Sequence, residues 1–226
     1  MKQITKIFLF LSFILFSFTH PPKKIKVLFF GDSITQAGVQ PNGYIVKMDS
    51  IIKQAHLPDS IQLMGAGVSG NKVYDLYLRM EDDVLSKNPD VVIIYVGIND
   101  VWHKASSGTG TDADKFEKFY RAIIKKLQAK NIKVIVCTPS VIGERTDNSN
   151  QQDGDLNNYS NIIRKIASDL SLSVCDLRKA FADYLKANNP TNAEKGILTG
   201  DRVHLTEKGN IFVASEMWKV IQGVVR

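Results

Sequence analysis

The sequence predicts an α/β protein built on a parallel sheet. Short apolar runs alternate with segments of helical periodicity from Lys23 onward. The first of those runs, over 25–30, is continuous enough to suit a strand buried on both faces. Several of them stop on Gly, Asp or Asn, the residues that punctuate strand ends. Strands alternating with helices imply right-handed crossovers and a sheet covered on both sides.

Residues 25–30, IKVLFF, form the first such run, bounded by Gly31. In 44–54, Tyr44, Ile45, Met48, Ile51 and Ile52 fall at helical spacing. IQLMG (61–65) reads as a second strand. Residues 73–86 read as a helix that Asn88-Pro89 stops, because a residue before proline avoids the helical region. DVVIIYVG (90–97) is the strongest strand in the chain. After Asp112, a candidate N-cap, Phe116, Phe119, Tyr120, Ile123, Ile124 and Leu127 make one helical stripe. IKVIVC (132–137) and LSVCDL (172–177) are the fourth and fifth strands, with a helix over 156–170 between them. A helix over 206–224 follows, its Phe212, Trp218 and Ile221 assigned to the core. The polar stretches 103–114 and 143–155 read as long loops.

A chain of 226 residues suits one domain, and 44% hydrophobic with 23% charged residues is ordinary for a globular protein. Its 29 basic and 23 acidic residues give a net charge of +6. The densest basic patch, Arg121–Lys130, has helical spacing and reads as a solvated face. No basic–aromatic interleaving points to nucleic acid. Lys2 and Lys6 precede a short apolar stretch from Ile7 to Phe18, the pattern of a secretory signal peptide. The reading is therefore a signal peptide over 1–20, cut between Thr19 and Pro22, and an exported domain over 21–226 with no stable membrane association. A retained N-terminal anchor is the alternative. Cys137 and Cys175 each end a strand and lack metal-site spacing. Export permits their pairing, which the sequence leaves open.

In a parallel sheet, ligands bind beyond the carboxyl ends of the strands. At those ends stand Gly31-Asp32-Ser33, Gly65-Ala66-Gly67-Val68-Ser69-Gly70-Asn71 and Gly97-Ile98-Asn99-Asp100. Asp201 stands three residues before His204 in a short stretch ahead of the last helix. Serine chemistry needs a base, a group that orients the base, and donors for an oxyanion. Each role has a candidate, although each residue taken singly also fits a turn or cap.

The four blocks, in this order, resemble the SGNH hydrolase superfamily, the GDSL esterases and lipases. The resemblance covers almost all of the chain after the apolar leader. It implies a flavodoxin-like three-layer α/β/α sandwich with a five-stranded parallel sheet. It also implies Ser33 as nucleophile, His204 as base, Asp201 as its orienting acid, and an oxyanion hole of Ser33, Gly67 and Asn99. No metal or organic cofactor is implied. Ile34 replaces the family's leucine, and Gly65-Ala66 stand where many members carry a polar residue and arginine.

The expected function is an exported serine esterase that acts on short-chain or O-acetyl esters of carbohydrate. Its partner is a small-molecule or polysaccharide ester, with Trp102, His103 and Tyr44 as candidate substrate contacts. A lysophospholipase or small-ester lipase of the same chemistry is the alternative, as is a catalytically silent carbohydrate-binding protein. Asp32 and Asp100 are expected to support their loops through backbone hydrogen bonds.

Overall fold

The computed structural model describes residues 24–55 and 60–225. The expected signal peptide (1–20) and His56 lie outside the described residues. Five strands, β1 (Ile25–Gly31), β2 (Ile61–Gly67), β3 (Val91–Tyr95), β4 (Lys133–Cys137) and β5 (Ser173–Cys175), pair in the order β2-β1-β3-β4-β5. Every pairing is parallel. The helices are α1 (Ser33–Gly38), α2 (Tyr44–Gln54), α3 (Val73–Asp83), α4 (Ile98–Ser107), α5 (Ala113–Gln128), α6 (Asp153–Asp169), α7 (Leu177–Asn188) and α8 (Glu207–Val224). Helices α2, α7 and α8 pack as one group and α3, α5 and α6 as another, giving the three-layer α/β sandwich the sequence predicts.

Burial on both faces explains the continuous apolar strands. Val27, Leu28, Phe29 and Phe30 of β1 are fully buried, and so are Val92, Ile93 and Ile94 of β3. Trp218 and Ile221 join the core, with Phe212 packed against it, as expected. Cys137 and Cys175 stand opposite one another in the β4–β5 register as buried free thiols.

Three helices differ from the sequence reading. The stretch from His103 reads as loop in the sequence, but α4 runs to Ser107 before Gly108 ends it in the left-handed conformation. Its buried residues, Ile98, Asn99, Asp100 and Val101, lie in the first turn, so its polar later turns carry no apolar stripe. Helix α7 rests on Leu177, Phe181 and Leu185, one apolar residue per turn and easily missed. Helix α1 is six residues long, too short to show a period.

The sheet order places a switch point between β1 and β3. The chain leaves β1 toward β2 on one side and returns to β3 on the other, opening a crevice at their carboxyl ends. Two glycines let α1 settle there. A Cβ on Gly31 would fall 2.3 Å from both Thr35 Oγ1 and the Tyr95 carbonyl oxygen, and one on Gly67 would fall 2.1 Å from the Gln36 nitrogen. Gly67 is therefore a packing glycine: the backbone of α1 lies directly on it. Gly67→Ala is expected to cost about 1–3 kcal/mol of stability by overpacking. Thermal denaturation checks this, at about 2–4 °C of Tm per kcal/mol for a chain of this size.

Candidate active site

Strand β1 ends at Gly31, and the next two residues turn the chain into α1. Asp32 makes that turn: its carboxylate accepts from the Ile34 N–H at 3.0 Å and caps the helix that Ser33 begins. Ser33 Oγ lies 2.9 Å from His204 Nε2, and His204 Nδ1 lies 2.7 Å from Asp201 Oδ2. The other Asp201 oxygen accepts from the N–H groups of Val203 (3.1 Å) and His204 (2.7 Å). Partial burial pushes the Asp201 carboxyl up. The hydrogen bonds from the His204 ring, the His204 N–H and the Val203 N–H outweigh it and hold this acid below the ordinary carboxylate range. An ionised Asp201 can only accept, so Nδ1 carries the imidazole proton. Nε2 of the neutral ring is then the acceptor for the Ser33 hydroxyl.

The loop carrying Asp201 and His204 is held from a distance. Glu144, fully buried, accepts from the N–H groups of Ile197 (2.8 Å), Leu198 (2.7 Å) and Thr199, and from Thr199 Oγ1 (3.0 Å). Thr199 pairs with Leu205, and the Gly200 N–H donates to the His204 carbonyl at 2.8 Å. The segment from Leu198 to Thr206 is thereby closed at both ends, with Thr206 capping α8. The sequence reading places Glu144 in a long polar loop; the structure keeps it in a loop but buries its side chain. No local signal distinguishes it, because its partners lie more than fifty residues away.

The donors available to an oxyanion differ from those expected. In the β1–β2 ladder Gly31 faces Gly67, and the Val68 N–H donates to the Gly31 carbonyl at 3.2 Å. In a parallel ladder a residue bonds to the two neighbours of its partner. The N–H of Gly67 therefore points away from β1 and off the sheet edge, not toward Ser33. The amides that follow have other partners: Ser69 donates to Gln36 Oε1 (2.9 Å), Asn71 to the Val68 carbonyl (3.3 Å) and Lys72 to Asp75 Oδ2 (2.8 Å). Gly70 makes no such bond among the described residues. At φ +76° it adopts a backbone that side chains disfavour, and it sits beside the His103 ring.

Two further donors stand nearby. Ser33 opens α1, so its N–H has no acceptor within the helix. Asn99, in the first turn of α4, gives one amide hydrogen to the Asn71 carbonyl at 3.1 Å and keeps the second. Asp100, beside it, accepts from the Val73 N–H at 3.2 Å, tying α4 to the start of α3.

Trp102 and His103 do reach this mouth. The Trp102 ring lies 6.4 Å from the His204 ring, edge-on, and 5.7 Å from that of His103. Partial burial and the nearby Lys72 ammonium lower the His103 pKa, which favours its neutral ring. Tyr44 does not reach the mouth. It is fully buried, its hydroxyl bonded to Thr35 Oγ1 at 3.0 Å and its ring edge-on to Phe29 and Tyr95. The amphipathic helix α2 turns it into the core, where it supports α1 from below.

A five-stranded parallel α/β fold with serine, imidazole and carboxylate in line at its switch point defines the class, a carboxylic ester hydrolase. The chain belongs to the GDSL-like lipase/acylhydrolase family, whose sequence profile matches residues 29–210. A crystal structure of the acetyl xylan esterase AlAXEase is 64% identical and covers 87% of this chain and 100% of its own, with a TM-score of 0.86. An acetylxylan esterase of Geobacillus stearothermophilus is 29% identical over 207 residues, spanning 84% of this chain and 90% of the relative. The crystal structure of Axe2, an acetylxylan esterase from that organism, superposes with a TM-score of 0.77 at 28% identity over 88% of this chain and 95% of its own.

Asp32 supplies a test of this buried environment. Burial, reinforced by the nearby Asp100 and opposed by the Ile34 N–H, raises its pKa to about 7. An acid whose folded pKa lies above its unfolded value of about 4 loses stability as pH rises between the two. Asp32→Asn keeps an acceptor for Ile34 but carries no charge. Its stability relative to the parent should rise steadily from about pH 4 to about pH 7, by on the order of a few kcal/mol. Urea unfolding across that range checks this, and a pH-independent difference would contradict it.

Proposed function

We propose that this chain is an exported esterase that removes acetyl groups from carbohydrate through a covalent intermediate on Ser33. The observation that carries the reading is the unbroken hydrogen-bonded line from Ser33 Oγ through His204 to Asp201 at the mouth of the sheet. His204 Nε2 takes the hydroxyl proton as Oγ attacks the ester carbonyl carbon. The N–H groups of Ser33 and Gly70 and the second amide hydrogen of Asn99 receive the developing oxyanion. His204 then gives its proton to the leaving sugar oxygen, and water attacks the acetyl-Ser33 ester by the same route in reverse. Asp201 stays ionised and stabilises the imidazolium formed in each step.

Acetyl is favoured over longer acyl groups because the Trp102 ring stands edge-on to His204 and takes up space beside the reacting atoms. The polar loop from Gly143 to Gln152 offers no apolar lid for a lipid tail. The acetylxylan-esterase relatives support the same substrate class, and two Axe2 structures are of catalytic mutants in which a serine or a histidine is replaced by alanine. Export rests on the basic, then apolar, leader over 1–20. Among the described residues no helix is long and apolar enough to cross a membrane.

Acetate release from acetylated xylan tests the reading. Ser33→Ala and His204→Ala should each lose about 10³-fold or more in kcat, and 4-nitrophenyl octanoate should be turned over far more slowly than the acetate. Equal rates for the parent and Ser33→Ala would leave only a binding protein on this fold.

A further inference from the structure

Arg79, in the second turn of α3, has a side chain that is 17% exposed and reaches under the mouth of the site. Its Nη2 donates to the Gly31 carbonyl at 2.7 Å and to the Ala66 carbonyl at 3.1 Å. Those oxygens belong to the last residue of β1 and the next-to-last of β2, where each strand leaves the sheet for a site loop. Its Nε donates to Asn71 Oδ1 at 2.6 Å, and its Nη1 to Asp83 Oδ2 at 2.6 Å. The guanidinium lies over the Phe30 ring, 4.7 Å from its centre. One planar cation therefore ties together the strand that delivers Ser33, the strand that leads to Gly70, and the side chain of the next residue, Asn71.

Asn71 matters because its carbonyl accepts from Asn99 Nδ2. With one amide hydrogen held there, the other points in a fixed direction. We propose that Arg79 is a positioning residue for the oxyanion donors: by fixing Asn71 against the ends of β1 and β2, it sets where the Gly70 N–H and the Asn99 amide point. This rests on the esterase reading above. Three of its four polar partners are neutral groups, two carbonyls at the strand ends and the Asn71 side chain in the loop after β2, which one lysine ammonium cannot reach in the same plane. A surface ion pair with Asp83 alone would leave those contacts unexplained.

The test is a double-mutant cycle on 4-nitrophenyl acetate with Arg79→Lys and Asn99→Ala. Arg79→Lys keeps the charge and the stem, and should lower kcat by about 10–100-fold while KM moves less than about threefold. In the Asn99→Ala background the same change should cost several-fold less than in the parent, since one of the two donors it positions is gone and only the Gly70 N–H remains. Asn71→Ala, which leaves Arg79 in place, should reproduce most of the kcat loss if Arg79→Lys does not fold. Arg79→Ala should regain activity with millimolar methylguanidine. Equal costs in both backgrounds, or parent-like kcat in Asn71→Ala, would overturn the proposal. Loss of activity in Ser33→Ala is read separately: if that variant stays active, the esterase reading fails, whatever Arg79 does.

Discussion

The hydrogen bond between Ser33 Oγ and His204 Nε2 joins positions 171 residues apart, one just after the first strand and the other just before the last helix. Nothing local can hold such a bond at 2.9 Å. Each partner has to be fixed independently to within a few tenths of an ångström, and the fold is organised around that demand. On the serine side, glycine at positions 31 and 67 lets α1 lie against the strand ends without intervening side chains. On the histidine side, the buried Glu144 carboxylate gathers three successive N–H groups and one hydroxyl, so that the Asp201–His204 turn leaves from a rigid base.

These supports are polar groups placed where water is scarce, and each is satisfied in full or nearly so. Removing one partner of such a group leaves donors or acceptors unpaired, at about 1–3 kcal/mol for each. Directionality is the return: an apolar core fixes distances loosely, whereas a carboxylate with four donors or a guanidinium with four acceptors fixes orientation. Arg79 and Glu144 play matching parts beneath the two halves of the site. One anchors the loops whose donors face an oxyanion, and the other anchors the loop that carries the base. Both act on backbone geometry from outside the reacting centre.

Much of this was legible in the sequence because it depends on short-range pattern. Short apolar runs bounded by turn residues mark all five strands; the inner strands β1, β3 and β4 are largely buried on both faces, whereas the edge strands β2 and β5 are only partly buried and carry Gln62 and Ser173. The block order placed Ser33, Asn99, Asp201 and His204 near one another. Reading failed where the deciding contact is distant. GAGVSGN holds two glycines that could serve the site, and the sequence reading takes Gly67; only the ladder register shows that the N–H of Gly67 faces away, while that of Gly70 has no partner among the described residues. Tyr44 looks like a sugar-stacking ring until α2 rotates it inward. Arg79 and Glu144 sit in segments that read as an ordinary helix face and a polar loop. Their partners are set by tertiary approach, which no spacing rule encodes.

The central claim is that an oxyanion formed on Ser33 is received by the Ser33 and Gly70 N–H groups and the Asn99 amide. A crystal structure of the protein inactivated by a diethyl phosphoryl ester tests it most directly. The phosphoryl group should be bonded to Ser33 Oγ, with its non-ester oxygen within about 3 Å of those three nitrogens. An adduct on another residue, or an oxygen held by the Gly67 nitrogen with Gly70 turned away, would contradict the account.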